Sequence, residues 1–319
     1  METVLNLLPL TDGERRAFQT AAPGAEHLFY PVRNTRRSAE GVPAEAYAKA
    51  TVILGCPPAD VLGAAKHLKW LHAWSAGVDG YLRPGVLPEG VALTSSVGAY
   101  GQAVSEHMLA MLLALLKRLP QYRDVQNRRG SEDLGEIRSL RGATVLLLGT
   151  GDIGSAFARQ CRALGAARIL GVRRNSAKPA DGVDEMYAIA ELDSLLPLAD
   201  VVAMVLPRSA ETDGLMDRRR LLMMKADAVL LNAGRGTAVD CAALAEVLSA
   251  GHLWAAGLDV TDPEPLPPDH PLWAVPNVLL TPHVAGGTNL EATVRNIAAI
   301  ALDNLGRYLA GEPLRNRFR

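Results

Sequence analysis

Three side chains of complementary chemistry follow apolar runs in the second half of the chain. DAVLLN leads into Arg235, AAGLDV leads into Glu264, and NVLLT leads into His283. A guanidinium can bind a substrate carboxylate and polarise a neighbouring carbonyl. A carboxylate beside an imidazole favours the protonated ring, so Glu264 would allow His283 to donate a proton near neutral pH.

The apolar runs predict how these side chains are positioned. From residue 143 onward, short apolar runs alternate with helical stretches, which is typical of a parallel sheet covered on both faces. Open sheets of this doubly wound α/β kind bind ligands at the carboxyl ends of their strands. Taken singly, each of the three residues fits a loop salt bridge or a helix cap, but their shared sheet edge favours chemistry.

A phosphate-binding loop is predicted at the same edge. The run ATVLLLG ends in Gly149-Thr150-Gly151-Asp152-Ile153-Gly154, followed by the helical SAFARQCRALG and a second strand, ARILGV. The motif alone also fits an ordinary tight turn, but the strand before it and the helix after it indicate dinucleotide binding. Gly149 permits the turn, Gly151 lets the backbone approach a pyrophosphate, and Gly154 allows close packing. Asp152 is an unexpected neighbour for a diphosphate, and we expect its side chain to face solvent or cap the helix.

The end of the second strand indicates which dinucleotide is preferred. An NAD site holds an acidic residue there that binds the adenosine ribose, whereas this chain has Arg173 and Arg174. A guanidinium can instead pair with a 2′-phosphate. We therefore expect a preference for NADP over NAD, the alternative being two arginines that only solvate a loop.

The first 95 residues show a weaker alternation of apolar runs and helical stretches. Strand candidates at HLFYPV, TVILG, KWLHAW and VALT predict a second, smaller α/β domain, and helical periodicity over residues 289–309 predicts a C-terminal helix that returns to it. A helix around Met108–Leu116 is apolar on every side and should be buried between elements or subunits. His107 beside Glu106 is interpreted as a packing or capping pair, the alternative being a second catalytic dyad.

Composition excludes several other classes of protein. The 319 residues fit about two domains, and 33 basic against 34 acidic residues provide no charge footprint for nucleic acid or an anionic membrane. Three distant cysteines and histidines without ligand spacing argue against disulfides and metal sites. The N-terminal apolar stretch is short and interrupted, so we expect no signal peptide and a cytoplasmic location.

Four segments give the chain a resemblance to a known family. They are GTGDIG (149–154), NAGRG (232–236), GLDVTDPEPLP (257–267) and HPLWAVPNVLLTPHVAG (270–286). In this order and spacing the sequence resembles the D-isomer-specific 2-hydroxyacid dehydrogenases from residue 75 to its end, while the first 70 residues match only loosely.

The resemblance implies roles for particular residues. Arg235 would bind a 2-oxo acid, His283 would be the acid/base, and Glu264 would orient His283. Asp259 matches the residue that contacts the nicotinamide carboxamide. Further predicted contacts are with the cofactor at Ile153, Pro207 and Ala233, and with the substrate carboxylate at the backbone of Ser75, Ala76 and Gly77.

The resemblance also implies an architecture. A flavodoxin-like substrate domain would be built from both chain ends, residues 1–97 and 286–319, with a Rossmann cofactor domain at 98–285. The active site would be a cleft between them that closes on the substrate, and the apolar helix would lie at a homodimer interface.

Departures from the family narrow the function without fixing the substrate. Arg173 replaces the common acidic residue, which favours the NADP-dependent glyoxylate/hydroxypyruvate reductases. Formate dehydrogenases have Gln where this chain has Glu264 and are disfavoured. Two alternatives stay open: a phosphoglycerate dehydrogenase lacking a regulatory domain, and a dinucleotide-sensing, corepressor-like protein without catalysis.

Overall fold

The computed structural model describes residues 1–31 and 41–319. The chain divides into two compact units, one formed by Met1–Tyr100 with Gly286–Arg319 and the other by Gly101–Ala285. The last residue of the strand candidate HLFYPV, Val32, lies outside the described residues.

The described elements are numbered in chain order. The strands are β1 Thr3–Asn6, β2 Glu26–Phe29, β3 Val52–Leu54, β4 Trp70–Ala73, β5 Ala92–Ser95, β6 Thr144–Leu148, β7 Arg168–Val172, β8 Glu185–Tyr187, β9 Val201–Met204, β10 Val229–Asn232, β11 Ala255–Leu258 and β12 Val278–Leu280. The α-helices are α1 Asp12–Ala21, α2 Ala44–Lys49, α3 Gly101–Leu116, α4 Leu119–Asn127, α5 Asp152–Ala163, α6 Leu192–Leu195, α7 Arg218–Met223, α8 Cys241–Ser249 and α9 Glu291–Ala310.

The smaller unit is built on a parallel sheet. Among its described residues five strands pair in the order β2-β1-β3-β4-β5, which is the flavodoxin order. The strands β1, β3 and β4 are buried along their whole length. Such strands face solvent on neither side, which is why β3 is wholly apolar and why the polar Asn6 of β1 and His72 of β4 are buried.

The C-terminal segment completes the smaller unit. Helix α9 packs on α1, where Arg295 pairs with Glu14, the acidic member of the α1 capping box. After α9 the chain runs along β5: the Phe318 amide donates to the Leu93 carbonyl at 2.8 Å, and Thr94 and Arg317 form an antiparallel bridge. The outer edge of β5 is thereby covered by the end of the chain.

The larger unit is a seven-stranded parallel sheet within residues 101–285, all of which the structure describes. Its order, β12-β11-β10-β9-β6-β7-β8, reverses direction at β6, as in a Rossmann fold. The prediction of two parallel-sheet α/β domains, one of them Rossmann-like, is confirmed.

Helix α3 lies on this sheet. Its buried face includes Met108, Met111 and Leu115, and at Gly257 of β11 an added Cβ would come within 2.9 Å of the Met111 Cε atom. The glycine therefore lets the helix approach the strand closely. Leu109, Ala110, Leu113 and Ala114 of α3 keep some exposure in a single chain. The predicted homodimer interface on α3 stays a prediction.

The described part of the chain has no helix that is both long and apolar enough to span a membrane. Its three cysteines, Cys56, Cys161 and Cys241, are all free thiols. Burial raises the pKa of Cys161 to about 12, so this thiol stays protonated inside α5.

Candidate active site

The predicted catalytic residues and the phosphate loop lie at one edge of the larger sheet. Arg235, Glu264 and His283 follow the carboxyl ends of β10, β11 and β12, which are neighbours in the sheet. The phosphate loop follows the carboxyl end of β6, two strands away from β10. Since all these strands are parallel, the four loops emerge on the same side.

His283 and Glu264 form a direct pair. The imidazole Nδ1 atom lies 2.8 Å from Glu264 Oε1, and the two side chains are 46% and 37% exposed. The carboxylate accepts the Nδ1 proton, which leaves Nε2 as the nitrogen available to a substrate. The predicted imidazole–carboxylate pair therefore exists, although the two residues are 19 positions apart in the sequence.

Glycines bring the loop of Arg235 close to its neighbours. A Cβ on Gly236 would lie 1.9 Å from the Thr261 carbonyl oxygen, and one on Gly234 would lie 2.7 Å from the Leu206 amide nitrogen. Only a residue without a side chain fits either position, so the loops after β9, β10 and β11 can touch.

The buried Asn232 side chain holds the Arg235 loop. Its Oδ1 atom accepts from the Gly234 amide at 3.0 Å, and its Nδ2 atom donates to the Arg235 carbonyl at 2.9 Å. The Arg235 guanidinium donates to the Gly234 carbonyl at 2.8 Å and is partly exposed.

The carboxylate of Asp259 is 2% exposed and lies beneath the His283 segment. It accepts from the Thr281 hydroxyl at 2.6 Å and from the amides of Val284 and Ala285 at 2.9 and 3.1 Å. The predicted contact of Asp259 with a nicotinamide carboxamide stays a prediction, whereas its support of this segment is visible directly.

His107 is part of the same hydrogen-bond network as Asp259 and Thr281. The sequence analysis did not identify it as a site residue. Its Nε2 atom lies 3.0 Å from the Thr281 hydroxyl, whereas Glu106 pairs with Gln102 on the surface of α3. Glu106 and His107 therefore have separate partners rather than forming the predicted pair. The only sequence signal for His107 was a histidine at the start of an apolar helix.

The phosphate loop fits a dinucleotide. Gly149 has a φ of 100°, and a Cβ on Gly154 would lie 2.0 Å from the Gly149 carbonyl oxygen, so both positions require glycine. Gly151 is the N-cap residue of α5, with no side chain over the helix terminus and no heavy atom within 4 Å of a built Cβ. The buried Thr150 hydroxyl has no hydrogen-bond partner among the described residues. Open backbone at a helix N-terminus suits a diphosphate.

Asp152 is exposed at the first position of α5, but its carboxylate is turned toward α3. A Cβ on Gly101, the first residue of α3, would lie 2.4 Å from Asp152 Oδ1. The negative charge thus lies against the N-terminus of a second helix, where the helix dipole favours it.

Arg173 and Arg174 follow β7 at the same sheet edge. Neither forms an ion pair with a described residue, and the Arg173 guanidinium donates only to the Lys178 carbonyl, at 3.5 Å. By contrast, Arg159, Arg162 and Arg168 are paired with Asp181, Asp184 and Glu185. The two arginines at the ligand-binding edge keep their charge uncompensated by carboxylates.

The other predicted cofactor contacts also lie near this edge. Pro207 follows β9 and is exposed, Ala233 follows β10 and is partly exposed, and Ile153 lies in the first turn of α5. Within the described residues, no group of three or more His, Cys, Asp or Glu side chains could hold a metal ion.

The predicted carboxylate-binding turn belongs to the smaller unit and follows β4. The Ser75 hydroxyl donates to the Gly77 carbonyl at 2.6 Å, while the amides of Ala76 and Gly77 donate to no described acceptor. Loss of hydration raises the pKa of the neighbouring Cys56 thiol, whose Sγ atom lies 3.5 Å from Ser75 Oγ. This thiol is therefore protonated, and the turn keeps two open N–H groups.

The larger unit is a Rossmann sheet with an open phosphate loop. An imidazole–carboxylate pair and an arginine lie at the same edge of this sheet. Together these features define a dinucleotide-dependent oxidoreductase. Known proteins show which family this is. Residues 109–285 match the family described as D-isomer specific 2-hydroxyacid dehydrogenase, NAD binding domain.

Relatives with known names agree with this match. A glyoxylate reductase from Thermofilum pendens is 35% identical over 260 residues, which cover 80% of this chain and 76% of the relative. The crystal structure of a D-isomer specific 2-hydroxyacid dehydrogenase family protein from Aeromonas salmonicida has a TM-score of 0.84 at 32% identity and covers 100% of this chain and 99% of that one.

A third comparison includes a bound cofactor. The NADPH-dependent glyoxylate/hydroxypyruvate reductase from Sinorhizobium meliloti, solved with NADP and sulfate, has a TM-score of 0.79 at 27% identity and covers 100% of this chain and 98% of that one. The chain belongs to the D-isomer specific 2-hydroxyacid dehydrogenase family. It is an oxidoreductase that acts on CH–OH groups with a nicotinamide dinucleotide.

Proposed function

We propose that this enzyme reduces a small 2-oxo acid of the glyoxylate or hydroxypyruvate type to the D-2-hydroxy acid, with His283 as the proton donor. The observation that carries the proposal is the 2.8 Å contact between His283 Nδ1 and Glu264 Oε1, at the same edge of the sheet as the phosphate loop. The names of the relatives in Thermofilum pendens and Sinorhizobium meliloti support the substrate class.

Each side chain has a defined task in this proposal. A nicotinamide dinucleotide held at the phosphate loop would supply the hydride for the carbonyl carbon. His283 Nε2 protonates the carbonyl oxygen, while Glu264 stabilises the imidazolium through Nδ1 and fixes the ring orientation. Arg235 binds the substrate carboxylate and polarises the carbonyl. In the smaller unit, the amides of Ala76 and Gly77 are hydrogen-bond donors for a substrate carboxylate.

The geometry of the larger unit supports the proposed cofactor contacts. Gly151 and the first turn of α5, with Asp152 turned aside, hold the pyrophosphate. Arg173 and Arg174 bind the 2′-phosphate, which gives a preference for NADP over NAD. Asp259 Oδ2 accepts one protein hydrogen bond, from Ala285, and keeps a lone pair for the nicotinamide carboxamide.

The function is tested by following NADPH and NADH oxidation with glyoxylate, hydroxypyruvate, pyruvate and phenylpyruvate. We expect NADPH-dependent turnover of glyoxylate or hydroxypyruvate, and a kcat lowered by about 10²- to 10⁴-fold in His283→Asn, with cofactor binding retained, because a general acid is lost. The matched control is His67→Asn, since His67 is an exposed histidine of the smaller unit.

Two results would contradict this assignment. Unchanged turnover in His283→Asn would remove His283 from proton transfer. Tight cofactor binding without turnover of any 2-oxo acid would favour the non-catalytic, dinucleotide-sensing alternative.

A further inference from the structure

The segment that carries His283 is held by a buried carboxylate. Asp259 Oδ1 accepts from the Thr281 hydroxyl and the Val284 amide, and Oδ2 accepts from the Ala285 amide. These donors lie on both sides of His283 in the sequence. The Asp259 side chain therefore fixes the backbone before and after the catalytic imidazole.

His283 needs this support because of its backbone conformation. Its φ is 54°, in the left-handed region that residues with a side chain seldom adopt. Such a conformation persists only where the surrounding structure determines it. The His283 amide donates to the Asp259 carbonyl at 2.7 Å and to the Thr281 carbonyl at 3.0 Å, so Asp259 and Thr281 hold the main chain as well.

His107 extends the network to helix α3. Its Nε2 atom lies 3.0 Å from Thr281 Oγ1 and 3.7 Å from Asp259 Oδ1. Thr281 has one hydroxyl proton, and the 2.6 Å bond to Asp259 uses it. The imidazole of His107 must therefore donate to Thr281, which orients the hydroxyl toward the carboxylate.

The packing of α3 on the sheet sets the position of His107. Met111, one helical turn further on, lies against Gly257 of β11, where an added Cβ would come within 2.9 Å of its Cε atom. His107 and Met111 are four residues apart and so share a face of the helix. Close approach at Gly257 thus places the His107 side chain over the ends of β11 and β12.

We propose that His107 is a positioning residue for His283 and acts through Thr281 and Asp259. The inference rests on the proposed role of His283 as acid/base. In this role His107 acts through Thr281 and needs no contact with substrate. It holds the Thr281 hydroxyl on the Asp259 carboxylate, and this carboxylate holds the backbone on both sides of His283.

The test compares variants along the path. His107→Leu removes the donor, His107→Gln retains an amide donor of similar reach, and Thr281→Val removes the hydroxyl. We expect kcat to fall about two- to tenfold in His107→Leu and in Thr281→Val, as for one lost hydrogen bond, with most of the loss recovered in His107→Gln. The double variant should lose no more than the larger single loss, because both changes break one path.

The matched control is Glu106→Gln. Glu106 neighbours His107 on α3, but its carboxylate accepts from Gln102 and is remote from Thr281 in the hydrogen-bond network. This variant should keep the wild-type kcat. Equal loss in His107→Leu and His107→Gln, additive losses in the double variant, or an unchanged kcat in His107→Leu would overturn the proposal.

A readout independent of turnover separates this inference from the proposed function. Amide hydrogen exchange over residues 281–287 should be faster in His107→Leu than in the wild type, and close to wild type in His107→Gln. If the wild type reduces no 2-oxo acid, the proposed function fails while the exchange result still decides the role of His107. If the wild type is active and exchange is unchanged in His107→Leu, the positioning role fails alone.

Discussion

Replacing Arg173 by Ser is expected to weaken NADPH binding and to leave NADH binding unchanged. Arg173 directly follows β7, and its Nη1 atom donates a long hydrogen bond, 3.5 Å, to the Lys178 carbonyl. It has no ion-pair partner among the described residues. Its removal should therefore cost the fold little, and any effect on the cofactor should reflect a direct contact.

The size of the effect follows from the charge involved. A 2′-phosphate near pH 7 has a charge of about −1.5 to −2. A hydrogen bond to a charged group contributes about 1.5–3 kcal/mol. The dissociation constant of NADPH should therefore rise about 10- to 150-fold. NADH has no 2′-phosphate, so its dissociation constant should stay within about twofold.

The assay is a titration of each cofactor, measured by nicotinamide fluorescence at two salt concentrations. Screening should weaken NADPH binding to the wild type more than to the variant. Arg168→Ser is the matched control: Arg168 lies at the other end of β7, and its Nε and Nη2 atoms pair with Glu185 at 2.7 and 2.9 Å. This control should change neither dissociation constant.

The cofactor ratio decides whether the reasoning holds. An equal loss for NADPH and NADH would place Arg173 on a part of the cofactor that both share, or in the structure of its loop. An unchanged NADPH dissociation constant would show that another group binds the 2′-phosphate.

Two further predictions concern the sheet edge and the smaller unit. Gly236→Ala should lower kcat/KM about 10²-fold in a turnover assay, because its Cβ would lie 1.9 Å from the Thr261 carbonyl oxygen and must displace the adjacent Arg235. Gly306→Ala is the control, since an added Cβ there meets open space. Equal activity of the two variants would contradict the expectation. Burial lowers the pKa of His72 to about 3, so the unfolded chain alone takes up this proton as the pH falls below about 6.5. Urea titrations should therefore show that this group lowers the free energy of unfolding by about 1.4 kcal/mol per pH unit as the pH falls between these two values. The His72→Gln variant should lack this contribution. Equal pH dependence of stability in the wild type and the variant would refute the prediction.

Much of the fold was predictable because both sheets are parallel and buried. Every predicted strand run of the larger unit contains an observed strand, and the site residues follow directly from the ends of those runs. The sequence analysis did not identify β1 or β8. The strand β8 pairs only with β7, is three residues long and includes the exposed Glu185, so no apolar run marks it.

The candidate site was predictable only where a reactive side chain comes after the carboxyl end of a predicted strand. Arg235, Glu264 and His283 satisfy that condition, and the imidazole–carboxylate pair could be inferred from their order. The contact between His107 and Thr281 joins residues 174 positions apart. This contact depends on how closely α3 packs against Gly257. Neither hydrophobic periodicity nor a sequence motif predicts that distance.

The order in which the two units appear along the chain has a consequence for synthesis on the ribosome. The larger unit is continuous, so all of its strands have been made once residue 285 has been added. The smaller unit begins earlier but must wait for α9 and for the segment that covers β5. We expect the later-starting unit to fold first, while the N-terminal sheet stays uncovered until α9 and the segment along β5 have been made.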